Sequence, residues 1–386
     1  MSAVFIVFVL SIALILYVLI GYPVLLACYA KLRPKPVQKE LDTPPRLSIV
    51  IPVRNGAFWI APKLNSLLAS QYPPDLLTIW VVSDGSTDGT NAIVADFGDP
   101  RVHLLALPPS GKATAVSAAL ERVSDDIVVL TDVRQAFDPQ ALARLAACFK
   151  DPQVGVVTGE LVIREGESSE EYNTGLYWRY EKWIRRNLNR VDAMLGATGA
   201  IYAIRRELAT PIPPETLLDD VYLPFIAAFQ GFRIYFEDAA KAYDFPTSLQ
   251  SEFRRKVRTQ AGIYQILMNF PGLLWPGNRR FIHFLSHKIG RLLLPFAMIA
   301  ALGSSFFIGG PWREIALGGQ VLFYGAALID PIIPEGTAPK RITAVIRAFL
   351  VLITAAFCAI VVFFLPAQHL WKETRVGAAG KSTVSQ

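Results

Sequence analysis

At 386 residues, with 52% hydrophobic residues, a mean hydropathy of +0.36 and a formal charge of +6, the chain is too apolar for a globule surrounded only by water. Its length suits one large or two ordinary domains, and its three cysteines, Cys28, Cys148 and Cys358, are too scattered for a disulfide framework or a cysteine metal site. The basic excess collects beside apolar blocks rather than in a recognition motif, which sets nucleic acid aside and favours anionic lipid headgroups as partners.

Taken in chain order, residues 1–30 carry no charge, and Lys31, Arg33, Lys35 and Lys39 follow at once. A bilayer core needs roughly 20 apolar residues, so the expectation is an N-terminal transmembrane helix over 1–30 and a basic linker over 31–45. A cleaved signal peptide would want a basic start and a shorter apolar core, and Leu25-Leu26-Ala27-Cys28 resembles a lipoprotein cleavage site without the basic residues that should precede it. Between 46 and 245, strand-like runs at 47–53, 77–83, 103–106, 127–131, 154–161, 200–204 and 233–236 alternate with helical patterns at 57–70, 89–97, 111–123 and 139–149. That rhythm predicts an α/β domain with a Rossmann-like, mostly parallel sheet.

Residues 246–291 read as interfacial amphipathic helices, with Arg254, Arg255, Lys256 and Arg258 beside Phe253 and Val257. Apolar blocks at 292–312, 315–333 and 348–370 read as three transmembrane helices within 292–370, the middle one shortened by Asp330 and two prolines, and 371–386 as a polar tail. With the N-terminus outside, the basic residues after the first helix, before the second (Arg279, Arg280, Lys288, Arg291) and between the last two (Lys340, Arg341, Arg347) share one side. The expected setting is a bacterial inner membrane with the α/β domain in the cytoplasm.

Several patterns carry chemistry. Ser83-Asp84-Gly85-Ser86-Thr87-Asp88-Gly89-Thr90 ends a strand-like run and would expose a carboxylate and backbone N–H groups at the sheet edge, where nucleotides bind in open α/β folds; Asp88 suits a helix cap. Lys112 follows Gly111 at a helix start, a place for an anion or for a plain surface lysine. Asp132 ends the run 127–131, and Asp219-Asp220 opens a helical stretch, where mutual repulsion raises one carboxyl toward proton acceptance, or the pair simply caps the helix. The small-residue loop Gly196-Ala197-Thr198-Gly199-Ala200 allows close approach of a ligand or makes a tight turn. Tyr172, Tyr177, Trp178, Tyr180 and Trp183 suit sugar stacking, core packing or membrane-surface contact.

In order, Ile51-Pro52-Val53-Arg54-Asn55, the 83–90 turn, Ser110-Gly111-Lys112, Thr131-Asp132 and Leu218-Asp219-Asp220 resemble the cytoplasmic catalytic domain of membrane-bound family 2 glycosyltransferases. These have the GT-A fold and include enzymes similar to hyaluronan, chitin, cellulose and poly-N-acetylglucosamine synthases. The resemblance spans roughly 47–261. It implies an inverting transferase moving a sugar from a nucleotide sugar, a UDP-sugar foremost, to a polysaccharide or lipid-linked acceptor at the membrane. It further implies that Val53 and Asn55 receive base and ribose, Asp84 contacts the uracil or its ribose, and Lys112 contacts the nucleotide. Asp132 would open the Asp-x-Asp motif and meet Mg2+ or Mn2+, Asp220 would be the general base, and Thr198 and Gly199 would face the acceptor. Arg258 keeps the arginine of the Gln-x-x-Arg-Trp motif and would clamp the diphosphate.

Two departures stand out. Arg134 replaces the second aspartate of Asp-x-Asp; it cannot ligate a cation but pairs well with phosphate. Thr259 replaces the tryptophan. Thr259 and the few C-terminal helices favour a non-processive lipid glycosyltransferase, and Arg134 favours a non-catalytic nucleotide-sugar-binding subunit working with other polysaccharide-assembly subunits.

Overall fold

The computed structural model describes residues 3–163, 169–245 and 249–364. The tail expected over 371–386, the end of the last apolar block, and the side chains of Tyr172, Tyr177 and Trp178 lie outside the described residues. The chain divides into an α/β unit, residues 33–164 and 188–245, and a helical unit, residues 1–32, 165–187 and 246–386.

In the α/β unit, strands β1 (Leu47–Val53), β2 (Leu77–Asp84), β3 (Val102–Leu107), β4 (Ile127–Leu130), β5 (Ala136–Phe137), β6 (Val154–Ile163), β7 (Tyr202–Arg205) and β8 (Arg233–Asp244) form one sheet in the order β3-β2-β1-β4-β7-β6-β8-β5. Parallel pairing joins β3, β2, β1 and β4, and then β6 with β8; β7 runs antiparallel between β4 and β6, and β5 antiparallel to β8. The sheet is therefore mixed. β1 and β4 are apolar and almost wholly buried, as strands covered on both faces must be.

Helix Ala57–Leu68 shows how the layers join. Ile60, Lys63, Leu64 and Leu67 recur at helical spacing and are its buried face. Lys63 is the one charged member of that stripe. The basic linker is not a free tether here. Lys35 N–H donates to Arg190 O at 2.8 Å, Arg233 Nη2 donates to Lys35 O at 2.8 Å, and Lys39 pairs with Glu237 at 2.5 Å.

β8 runs twelve residues, past the four expected, because Lys241 to Asp244 continue the pairing with β6 after a register shift. Its alanine-rich middle has little strand propensity of its own. The two-residue β5 exists only as β8's partner, and nothing in its composition announces it.

In the helical unit, four helices among the described residues are long and apolar enough to cross a membrane: Ala3–Leu32, Phe281–Ser305, Pro311–Ile332 and Ala338–Phe363. The second and fourth begin well before the expected 292 and 348, because their charges find partners. Arg291 pairs with Glu181, and buried Asp330 accepts from Thr343 Oγ1 at 2.7 Å and pairs with Lys340 at 3.3 Å and Arg347 at 3.2 Å. Paired charge is far cheaper to bury than isolated charge. In the first helix, Tyr17 hydroxyl bonds Ser286 Oγ at 2.7 Å, and Tyr180 hydroxyl donates to Leu19 O at 2.8 Å.

Candidate functional site

The carboxyl ends of β1, β2 and β4 and two glycine-bearing turns gather the polar groups. Val53 buries its side chain at the end of β1, in register with Ser83. Asn55 takes a left-handed conformation, φ 53°, and its Oδ1 accepts from Thr87 N–H at 2.9 Å. Its own N–H donates to Ser86 Oγ at 3.1 Å. Asp88 accepts from Thr90 N–H and Ala57 N–H, both at 3.0 Å, and so caps two helices at once. The loops after β1 and β2 are thereby stitched together.

Asp84 is more enclosed than the open carboxylate expected at the sheet edge. Its Oδ1 accepts from Ser110 N–H at 2.6 Å, Ser110 Oγ at 3.1 Å and Gly111 N–H at 3.0 Å. The reason is local: the turn before helix Lys112–Leu120 has backbone donors that need an acceptor once buried. Gly85, at φ 64°, lets Pro109 pack where a Cβ would come within 2.7 Å. Asp84 thus fixes the turn that launches Lys112.

Lys112 reaches back over the sheet edge. Its Nζ lies 2.9 Å from Asp132 Oδ1 and 3.1 Å from Asp219 Oδ1. Burial alone would loosen the ammonium's proton, but the Asp132, Asp219 and Asp220 carboxylates outweigh it and hold Lys112 protonated above its ordinary range. Asp219 and Asp220 open helix Asp219–Phe229. Asp220 Oδ2 accepts from Gly199 N–H at 2.8 Å, and Gly199 O accepts from Asp132 N–H at 3.0 Å. A Cβ on Gly199 would stand 3.3 Å from Asp132 Oδ2, 3.5 Å from Asp220 Oδ2 and 3.6 Å from Lys112 Nζ, so the charged groups surround this one glycine. Thr198 N–H is held by Thr158 Oγ1 at 3.1 Å. Burial first, then the Asp219 charge, pushes the Asp220 carboxyl up to about 6. A carboxylate in that range takes a proton from a hydroxyl near neutral pH without being permanently protonated.

Arg134 points elsewhere. Its Nη2 pairs with buried Asp244 at 2.6 Å, and Gln135 Nε2 donates to the same oxygen at 2.8 Å. The guanidinium that the motif offered to phosphate is thus an internal tie between the Asp132 loop and the end of β8. Arg258 lies on helix Leu249–Asn269 of the helical unit, where Thr259 Oγ1 donates to Arg255 O at 2.8 Å. Asp244 and Lys63 belong to none of the sequence motifs. For Lys63 there was a signal, a lysine on an apolar helical stripe; for Asp244 there was none.

Among the described residues, no group of three His, Cys, Asp or Glu side chains is placed to hold a metal ion. Three carboxylates against one ammonium leave the cluster negative, however, and Asp132 is 44% exposed. That fits a divalent cation carried in with phosphate oxygens and touching one carboxylate, a common arrangement for magnesium.

Residues 48–210 match the model of the Glycosyl transferase family 2. The chain carries a family 2 glycosyltransferase domain. The match stops short of Asp219 and Asp220. A glycosyltransferase among its relatives, an N-acetylglucosaminyltransferase of Mesorhizobium japonicum, is 27% identical over 290 residues, covering 69% of this chain and 68% of the relative. The poly-beta-1,6-N-acetyl-D-glucosamine synthase of Staphylococcus epidermidis is 22% identical over 274 residues, covering 69% of this chain and 64% of the synthase. A mannosyltransferase from Pyrobaculum calidifontis, solved with GDP-Man and Mn2+, superposes with a TM-score of 0.70 at 22% identity, over 92% of this chain and 98% of that one. That likeness shows the fold: the α/β domain has the GT-A architecture.

Proposed function

We propose that this glycosyltransferase works at a membrane, moving one sugar at a time with inversion from a nucleotide sugar to a glycan or lipid-linked hydroxyl. The observation that carries the reading is Asp220: an acidic group raised to about 6, fixed by Gly199 N–H beside Asp132 and Lys112. In the proposed step, Asp220 takes the proton of the acceptor hydroxyl as that oxygen bonds the anomeric carbon. The bond from that carbon to the diphosphate breaks, and its electron pair leaves with the nucleotide diphosphate. Lys112 supplies fixed positive charge, and Asp132 is the residue to hold Mg2+ or Mn2+. Bound there, the ion would offset charge on the leaving diphosphate. Asp84 and Asn55, at the β1 and β2 ends, are the proposed nucleotide side of the site, and Thr198 and Gly199 the acceptor side. Arg258 as a diphosphate partner rests on the motif resemblance.

The names of the relatives point to N-acetylglucosamine and the motif resemblance to UDP, so UDP-N-acetylglucosamine is the first donor to try, and the mannosyltransferase solved with GDP-Man makes GDP-mannose the second. Membranes containing the protein, supplied with a panel of nucleotide sugars and analysed for product mass, test the reading. One donor should be consumed, with turnover lost in Asp220→Asn. Donor binding without turnover by the unaltered protein would favour the non-catalytic subunit. EDTA should abolish turnover and added Mn2+ or Mg2+ restore it; full activity in EDTA would remove the cation from the proposal. Products carrying a single added sugar would favour the non-processive reading over a synthase.

A further inference from the structure

Lys63 is 1% exposed on the apolar stripe of its helix, between Ile60, Leu64 and Leu67. Burying an amine this deeply costs free energy that a methionine of similar volume would not, so filling space does not explain it. Its Nζ donates to Thr131 Oγ1 at 2.8 Å and to Gln135 O at 2.5 Å, and sits 3.9 Å from the centre of the Phe137 ring. The two acceptors bracket the loop that carries Asp132.

Thr131 passes the contact on. Its Oγ1 donates to Ala200 O at 2.7 Å, next to Gly199, whose O accepts from Asp132 N–H and whose N–H donates to Asp220 Oδ2. Hydrogen bonds therefore lead from Lys63 to the Asp132 loop on one side and to the turn holding Asp220 on the other.

We propose that Lys63 is a positioning residue for sugar transfer, clamping the 131–135 loop and the 198–200 turn from behind so that Asp132 and Asp220 keep their spacing about Gly199. Burial pushes the Lys63 amine well below its ordinary range, against the pull of Asp132. The clamp does not depend on the outcome, since a neutral amine still has the two N–H donors that these bonds use. This inference rests on the reading of Asp220 as the base.

The test compares Lys63→Met, Thr131→Val and Thr131→Ser in the full-length protein, with Asp220→Asn alongside. Melting temperature, turnover per folded molecule well below each melting point, and calorimetric affinity for whichever of UDP and GDP binds the unaltered protein are measured. Misplacing a reacting group by about 1 Å can cost about a hundredfold, so Lys63→Met and Thr131→Val should lose about thirtyfold or more in kcat. Nucleotide affinity should stay within about threefold, a factor worth well under 1 kcal/mol. Thr131→Ser, which keeps the hydroxyl, should work almost normally. A merely structural Lys63 would lower the melting temperature but leave kcat per folded molecule near normal, and that result overturns the proposal. So does a Thr131→Ser as slow as Thr131→Val. If Lys63→Met does not fold, the two Thr131 variants decide. Turnover persisting in Asp220→Asn would instead remove the base assignment, and with it the route through Gly199.

Discussion

The role proposed for Asp220 rests on burial and on the charge of Asp219, and both leave measurable traces. Its carboxyl is raised to about 6 from an ordinary 3.8. A base works only when ionised, so kcat/KM should fall about tenfold per pH unit below about 6, and a profile flat down to pH 5 would contradict the assignment. The same shift has a stability consequence of fixed sign. A folded pKa above the unfolded one means that folding disfavours the ionised form, a penalty absent below about 3.8 and complete above about 6. Asp220→Asn should therefore abolish transfer yet melt higher than the unaltered protein at pH 7.5, by up to the order of 2–3 kcal/mol, with the gain vanishing toward pH 4. Lower stability at pH 7.5 would mean that Lys112 and Gly199 N–H outweigh burial.

Arg134 and Asp244 belong to the scale of elements, tying the loop after β4 to the end of β8. Removing one partner of a buried pair leaves the other uncompensated and costs about 3–5 kcal/mol. Arg134→Met should accordingly lower the urea midpoint sharply without weakening nucleotide binding in the fraction that stays folded; unchanged stability with weakened binding would return Arg134 to the phosphate. The elements that could be read from the sequence were those whose signal is local. β1, β2 and β4 are apolar runs that end at turn residues, and helix Ala57–Leu68 shows its stripe in its spacing. β5 and the far half of β8 exist through pairing with each other and with β6, so propensity could not report them. The candidate site divides in the same way. Asp84, Lys112, Asp132 and Asp220 stood out in short motifs, whereas what holds them, Lys63 beneath Thr131 and Asp244 beneath Arg134, depends on residues that meet only after folding.

At the scale of the whole molecule, the apolar helices present side chains that water would not tolerate in such number. Ile315, Val321, Leu322 and Leu328 of Pro311–Ile329 are exposed by 64–79%, a continuous face that calls for lipid or a partner. The charges around these helices are lopsided. Residues 306–310, between the second and third helices, carry none, while Lys31 closes the first and Arg33 follows it, and Lys340 and Arg341 begin the fourth. Positive residues stay on the cytoplasmic side, so residues 306–310 should be external and residue 33 internal. A cysteine-free variant carrying Gly309→Cys, where an added Cβ meets nothing within 4 Å, should react with a membrane-impermeant thiol reagent in intact cells. Arg33→Cys, at an exposed position, should react only after the membrane is opened. The reverse pattern would place Asp220 away from cytoplasmic nucleotide sugars and defeat the proposed function, whatever the geometry around Gly199. Labelling of both positions in intact cells would put them on one side and show that Phe281–Ser305, the apolar helix between them, does not cross the membrane.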